Sequence, residues 1–362
     1  MGEEREGWRR LGWNGVTFRH PGDWEIGELG DRYLLLEDDR GPRFELRWEP
    51  PVKRFSHRRV LGKLGGARLA RRGAGLEASP LPESWETALG GFSARGFIWQ
   101  AGEGKPAVRG DMPSASQQNP DFHPISTVRG GTPGSPQENP GPHPIPRVRG
   151  GTPGAPQENS GPHSIPQVRG GTLRCGACGG VLLFQFHRLE NLDDERMAAT
   201  LLATLEDHGE GERLWCVYDI RAKLPDTFAL SAYRFSPGRF EVDLSGPDGA
   251  RLSIRRWSPA SVLIPDGDLQ RFAELVFGEW DVAERAPASE TISGHRALSW
   301  EWDARAACGG IRGWWRRLRG KEDGRRLALW HLEKVNRLFA VRAEGPVDGA
   351  LMKRVCRDFE TV

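Results

Sequence analysis

Gly30–Pro50 reads GDRYLLLEDDRGPRFELRWEP, and Gly238–Pro259 reads GRFEVDLSGPDGARLSIRRWSP. At an offset of 208, Gly30, Leu34, Leu36, Gly41, Arg43, Phe44 and Leu46 fall on Gly238, Val242, Leu244, Gly249, Arg251, Leu252 and Ile254. One inserted residue later, Trp48-Glu49-Pro50 meets Trp257-Ser258-Pro259. Apolar and polar residues alternate in both stretches, on either side of a glycine-bearing turn. A period of two predicts strands over 33–37 and 43–49, with the same pair repeated in the second half. The matched positions are strand positions and the offset changes at turns, which is the form of a diverged internal duplication.

The match extends outward. Trp13 meets Trp215, Pro21–Trp24 meets Pro225–Phe228, and GGFSARGFIW ending at Trp99 meets SGHRALSWEW ending at Trp302. Further strands are predicted near 14–19, 24–28, 92–99, 173–175 and 181–187. A basic helix is predicted over 56–72, with Val60, Leu61, Leu64 and Leu69 as its apolar side. A capped helix closes the unit, opened by Asn191 or Asp193, with Leu192, Ala198, Leu201, Leu202 and Leu205 inward. In the second half, helices are expected over 266–278, opened by Asp266 or Asp268, and over 347–359. The order ββββαβββα, with hairpin-length links, predicts an α+β fold: an antiparallel sheet covered by helices.

A first strand leading into a Pro-x-x-Trp/Phe turn occurs twice, as HPGDW at His20–Trp24 and LPDTF at Leu224–Phe228. With three strands and a helix following, each unit resembles the PsbP-like superfamily, which includes an extrinsic photosystem II subunit and a nuclear Ran-release factor. The resemblance implies two tandem antiparallel-sheet α/β/α sandwich units. It also implies a binding or assembly role rather than catalysis.

A second, recent repeat interrupts the first unit. From Asn119, NPDFHPISTVRGGTPGSPQE is followed by NPGPHPIPRVRGGTPGAPQE and then NSGPHSIPQVRGGT, ending at Thr172. The period is 20 residues, and a worn partial copy starts at Val108. Residues 108–172 hold 13 Pro and 11 Gly, too few apolar groups to offset the entropy of ordering the backbone. The array therefore reads as a disordered, partly polyproline-II insertion. Each copy carries Arg-Gly-Gly (Arg129, Arg149, Arg169) and a histidine (His123, His143, His163). Against RNA binding, residues 102–172 have a net charge of only +1 and one aromatic, Phe122. The expected organisation is a first unit over 1–212 interrupted by 102–172, and a second over 213–362 with a basic Trp/Arg-rich loop at 303–326.

Composition bounds the function. Lys+Arg 51 against Asp+Glu 49 leaves +2, so no whole-chain excess points to a polyanion or a cation. No run of about 18 apolar residues predicts a membrane span, and the opening residues lack a signal peptide's apolar stretch. Five cysteines in 362 residues make no disulfide framework, so a reducing, cytoplasmic setting is expected. The chain has no Gly-x-Ser-x-Gly, no Gly-x-x-x-x-Gly-Lys and no His-Glu-x-x-His.

Cys175-Gly-Ala-Cys178 is the sharpest local motif, placed at a turn between two strands. Three readings stand: free thiols, a metal knuckle, and a redox or disulfide pair. A closed zinc site needs four ligands, which His187, Cys216, His208 or a second chain would have to complete. Zinc is the one cofactor the motif admits; none is expected elsewhere. Two basic stretches are candidate anion sites. Lys53–Arg72, including Lys53, Arg54, Arg58 and Arg59, has eight Lys/Arg and no acid. IRGWWRRLRGK at 311–321, including Arg316 and Arg317, sets Ile311, Trp314, Trp315 and Leu318 at helical spacing. The expected function is a non-enzymatic interaction or assembly protein with a protein partner. The alternatives are a binder of nucleic acid or anionic membrane, and a zinc or redox protein using Cys175 and Cys178.

Overall fold

The computed structural model describes residues 7–52, 54–61, 75–100, 167–208, 211–302 and 324–357. Each half opens with a hairpin. β1 (Trp8–Trp13) and β2 (Val16–Pro21) turn at Asn14-Gly15; β10 (Glu212–Val217) and β11 (Ile220–Pro225) turn at Tyr218-Asp219. All four turn residues have positive φ, 44°, 94°, 47° and 67°, as a two-residue hairpin turn demands. β1 pairs with β10, Gly12 opposite Cys216, giving a four-stranded sheet in the order β11-β10-β1-β2. A Cβ on Gly12 would stand 2.6 Å from the Leu214 carbonyl, so glycine lets the two hairpins approach. The Pro-x-x-aromatic turns that follow are closed alike: Trp24 N–H donates to Pro21 O at 3.1 Å, and Phe228 N–H to Pro225 O at 3.0 Å.

The remaining strands form two seven-stranded antiparallel sheets. The first holds β3 (Glu25–Gly30), β4 (Tyr33–Asp38), β5 (Gly41–Glu49), β6 (Gly75–Ala78), β7 (Phe92–Gln100), β8 (Gln167–Cys175) and β9 (Val181–Leu189). The second holds β12 (Ala229–Ser236), β13 (Arg239–Ser245), β14 (Arg251–Trp257), β15 (Ala288–Ile292), β16 (His295–Trp302), β17 (Gly324–Leu332) and β18 (Arg337–Gly345). Their orders, β3-β4-β5-β9-β8-β7-β6 and β12-β13-β14-β18-β17-β16-β15, follow the same path.

Helix α1 covers residues 57–61; α2 (Glu83–Ala88) and α3 (Leu192–Leu202) bury Trp85, Ala198, Leu201 and Leu202 with Phe44, Leu46, Phe184 and Phe186 of the first sheet. In the second half, α4 (Ala260–Leu263) and α5 (Leu269–Val276) pack with Trp257, Trp300 and Leu329, while α6 (Gly349–Arg357) packs among residues of the opposite sheet face. The caps form as predicted at Asn191 and Asp268, whose side chains accept the Asp194 and Arg271 N–H groups. Mostly antiparallel sheet with helices against it makes this an α+β fold.

One apolar cluster runs through both halves. At its centre Trp13, fully buried, meets Trp215 edge-to-face at 5.5 Å and touches Tyr233 and Phe235. Its indole N–H donates to Gly30 O at 2.7 Å, whereas the buried Trp215 N–H has no partner among the described residues. Trp13→Phe loses a hydrogen bond that is made, whereas Trp215→Phe removes an orphaned donor. Trp13→Phe should therefore be the more destabilising by about 1 kcal/mol or more in urea titration; equal losses would contradict this bond pattern.

Several expectations change. The strand expected near 14–19 is β2, set off from β1 by the Asn14-Gly15 turn; β1, β6 and α2 were not expected at all. Residues 167–172, expected to end the disordered array, are the first two-thirds of β8, with Gly170, Gly171 and Thr172 buried. Arg169 of the last Arg-Gly-Gly pairs with Glu195 of α3 at 3.3 Å. Residues 324–326, expected in the basic loop, begin β17. Leu192, expected inward, is 70% exposed, because the first turn of α3 stands proud of the sheet. Trp48 does not correspond to Trp257: Trp48 lies on the same face of β5 as Phe44 and Leu46, whereas Trp257 lies on the α5 side of β14. Trp48 and Arg256 make matching contacts instead: each donates to a carbonyl at a hairpin turn, Asn14 O at 3.2 Å and Tyr218 O at 3.1 Å. The rest of the array (108–166), the loop 303–323 and helix positions 62–72 lie outside the described residues.

Candidate metal centre

β8 ends at Cys175 and the chain reverses through Gly176–Cys178 before β9 begins. Cys175 N–H donates to Gly180 O at 2.9 Å, and Gly179 N–H to Cys175 O at 3.2 Å. Gly179 has φ +76°, the left-handed region that glycine enters without penalty. The turn aims two backbone donors at sulfur: Cys178 N–H at Cys175 Sγ (3.5 Å) and Gly180 N–H at Cys178 Sγ (3.2 Å). The Gly180 N–H acts to favour the Cys178 thiolate, and both donors would orient a metal–thiolate centre from behind.

The other side of the centre comes from the segment after α3. Leu205 is buried, and Glu206 exchanges two backbone hydrogen bonds of 2.8 Å with Thr17 of β2. That bridge fixes the backbone just ahead of Asp207 and His208 and directs both side chains at the Cys-x-x-Cys turn. Cys175 Sγ lies 3.6 Å from His208 Nδ1; Cys178 Sγ donates to Asp207 Oδ2 at 3.0 Å; Asp207 Oδ1 lies 2.6 Å from His208 Nδ1. One ligand atom from each of the four residues lies within 4.8 Å of every other. A Cβ at Gly180 would stand 2.7 Å from Asp207 Oδ2, so glycine there makes room for the carboxylate.

The electrostatics favour a cation. The Asp207 side chain is only 6% exposed, and a buried carboxylate needs compensating positive charge. His208 supplies one neighbour, but the other is a thiol. Burial, then the hydrogen bond to Asp207, push Cys178 up to about 12, the wrong direction for a redox nucleophile, which needs a lowered value. A divalent metal reverses that: it displaces the thiol protons and neutralises the carboxylate. Two sulfurs, an imidazole and a carboxylate form a zinc-type donor set, whereas magnesium and calcium take oxygen. With Zn–S about 2.3 Å and Zn–N about 2.05 Å, tetrahedral geometry separates S from N by about 3.6 Å, the Cys175–His208 spacing.

Of the residues singled out in the sequence, Cys175, Cys178 and His208 come together here. His187 does not; its ring lies 3.4 Å from Glu45. Cys216 points to the Arg10 carbonyl, 3.2 Å away. Asp207 was missed, because its role depends on the bridge between Thr17 and Glu206, which links positions 189 residues apart. Arg54, Arg58 and Arg59 are described and exposed, whereas Lys53, Arg316 and Arg317 lie outside the described residues. No described helix is long and apolar enough to cross a membrane. The chain matches no protein-family model and no curated sequence.

Proposed function

We propose that this chain is a non-enzymatic interaction protein built from two copies of a PsbP-like α/β/α unit and stapled by one structural zinc ion. The convergence of Cys175, Cys178, Asp207 and His208 carries the zinc reading. Four protein ligands close a tetrahedral shell and leave no position for substrate, which is the arrangement of structural rather than catalytic zinc. The ion joins the β8–β9 turn to the segment leading from α3 into β10, at the junction of the two halves. The corresponding turn of the second half, His331–Asn336, has no cysteine, so the staple is specific to the first unit. The reading of two copies is supported by the matching strand orders, the paired hairpins, the two Pro-x-x-aromatic turns, and Trp99 and Trp302 near the ends of β7 and β16.

Elemental analysis tests the zinc. Protein produced with zinc available should carry about one zinc per chain. Cys175→Ser and Cys178→Ser should lose it, and Asp207→Asn should bind it about 10- to 100-fold more weakly. Cys216→Ser, outside the cluster, should retain it. Wild-type protein that remains zinc-free under these conditions overturns the reading.

A further inference from the structure

Beside the Cys-x-x-Cys turn lies a surface the zinc reading does not use. α1 rests on the first sheet through His57, whose Nδ1 lies 2.8 Å from Thr172 Oγ1 and whose Nε2 lies 3.2 Å from Ser93 Oγ. Phe55 packs edge-on against the same ring at 4.7 Å. In the β7–β8 register Ser93 faces Arg174 and Arg95 faces Thr172. The strand period of two puts all four on one sheet face, around His57. Burial first, and then the Arg95 charge, hold His57 below its ordinary value, with Arg174 adding to the effect. His57 is therefore a wedge that seats α1 between two arginines.

Arg54, Arg58 and Arg59 on and beside α1, and Arg95 and Arg174 on the strands, are all exposed. None of the five pairs with a carboxylate among the described residues. Several arginines elsewhere do find acids: Arg43 with Asp194, Arg169 with Glu195, Arg239 with Glu241 and Arg337 with Asp219. In the sequence, the stretch on to Arg72 holds further Lys/Arg and no acid. The fold does not require this charge, since the second half has Asp266, Asp268 and Glu274 in the matching stretch. Arg174 and Ser93 also line an open depression with Gly176 and Cys178, so the basic surface runs up to the metal turn.

We infer that Arg54, Arg58, Arg59, Arg95 and Arg174 form a docking surface for the phosphodiester backbone of a nucleic acid. Guanidinium forks recognise phosphate oxygens bidentately. An open face lined by several of them suits a chain of phosphates better than one small anion. A bilayer is the weaker match: of the exposed large apolar residues among those described, Val52, at 38%, is the one adjacent in sequence to these arginines. A membrane-binding face combines its charge with an apolar anchor. No base-reading group is identified, so recognition is by backbone and independent of sequence.

Anisotropy of a labelled 20-nucleotide oligo-dT, an RNA of the same length and a duplex, at 50 and 200 mM salt, tests this. Arg95→Gln/Arg174→Gln should weaken binding at least about tenfold at 50 mM and lower the single-strand salt slope by about 1.4, about 0.7 for each phosphate lost. Arg196→Gln/Arg251→Gln, which removes the same charge from exposed sites elsewhere, should change binding less than threefold. Zinc content and melting of both variants, measured alongside, keep a failed metal site or fold apart from a failed surface. No binding to any of the three probes at 50 mM salt, equal losses in the two variants, or retention on phosphatidylserine vesicles without nucleic-acid binding would each overturn the inference.

Discussion

Gly170→Val should destabilise the protein by more than about 3 kcal/mol, the range of overpacked core sites and beyond. A Cβ at Gly170 would stand 2.2 Å from the Phe184 carbonyl and 2.6 Å from the Phe97 ring. The first obstacle is backbone of β9, the neighbouring strand, and cannot rotate away. The second is a ring buried to 1% exposure. Gly171 is similarly confined, 2.8 Å from the Phe184 ring, so the Gly-Gly pair is where aromatic residues cross over β8. Gly91→Ala is the control: a Cβ there meets nothing within 4 Å, and its stability should change by less than about 0.5 kcal/mol. Urea titration checks both. Equal, small effects would show that Gly170 is not packed in the sheet.

This strand also shows where the sequence was legible and where it was not. Tyr33–Asp38 and Gly41–Glu49 announce themselves because Leu34, Leu36, Phe44 and Leu46 alternate toward one core face. Val181–Leu189 does so through Leu182, Phe184 and Phe186. β8 carries no such signal over its first residues: Gln-Val-Arg-Gly-Gly-Thr supplies one apolar side chain, and the packing over it comes from Phe97 and Phe184 on its neighbours. Identical Val-Arg-Gly-Gly-Thr runs at 128–132 and 148–152 made the third copy read like the other two. The residues that follow set the third copy apart. Leu173 and Cys175 can continue a ladder, whereas Pro133 and Pro153 cannot donate to one. The candidate site divides in the same way. The Cys-x-x-Cys turn is local and visible, whereas Asp207 is placed by a bridge to Thr17 that no window of sequence contains.

The largest contrast should come from two deletions that differ at one boundary. A protein in which residues 101–166 are replaced by about six Gly/Ser residues should fold, zinc site included. β7 and β8 are antiparallel neighbours with Trp99 opposite Val168, so the ends to be joined already lie side by side, one residue pair beyond that contact. Loop-closure entropy scales as (3/2)RT ln n, so shortening the connection from 66 residues to six favours the folded state by roughly 2 kcal/mol. Carrying the deletion through Thr172 should instead abolish cooperative unfolding. It removes Gln167–Thr172 from between β7 and β9, leaves β7 and β6 joined to the rest of the sheet only through Leu173–Cys175, and takes away Arg169's ion pair with Glu195. It also strips His57 of Thr172, so α1 loses its seat as well. Near-ultraviolet dichroism and urea titration of the two proteins decide the matter. Matching cooperative transitions in both would mean that the last copy of the repeat is dispensable to the sheet, and loss of cooperativity in both would mean that the array itself packs against it.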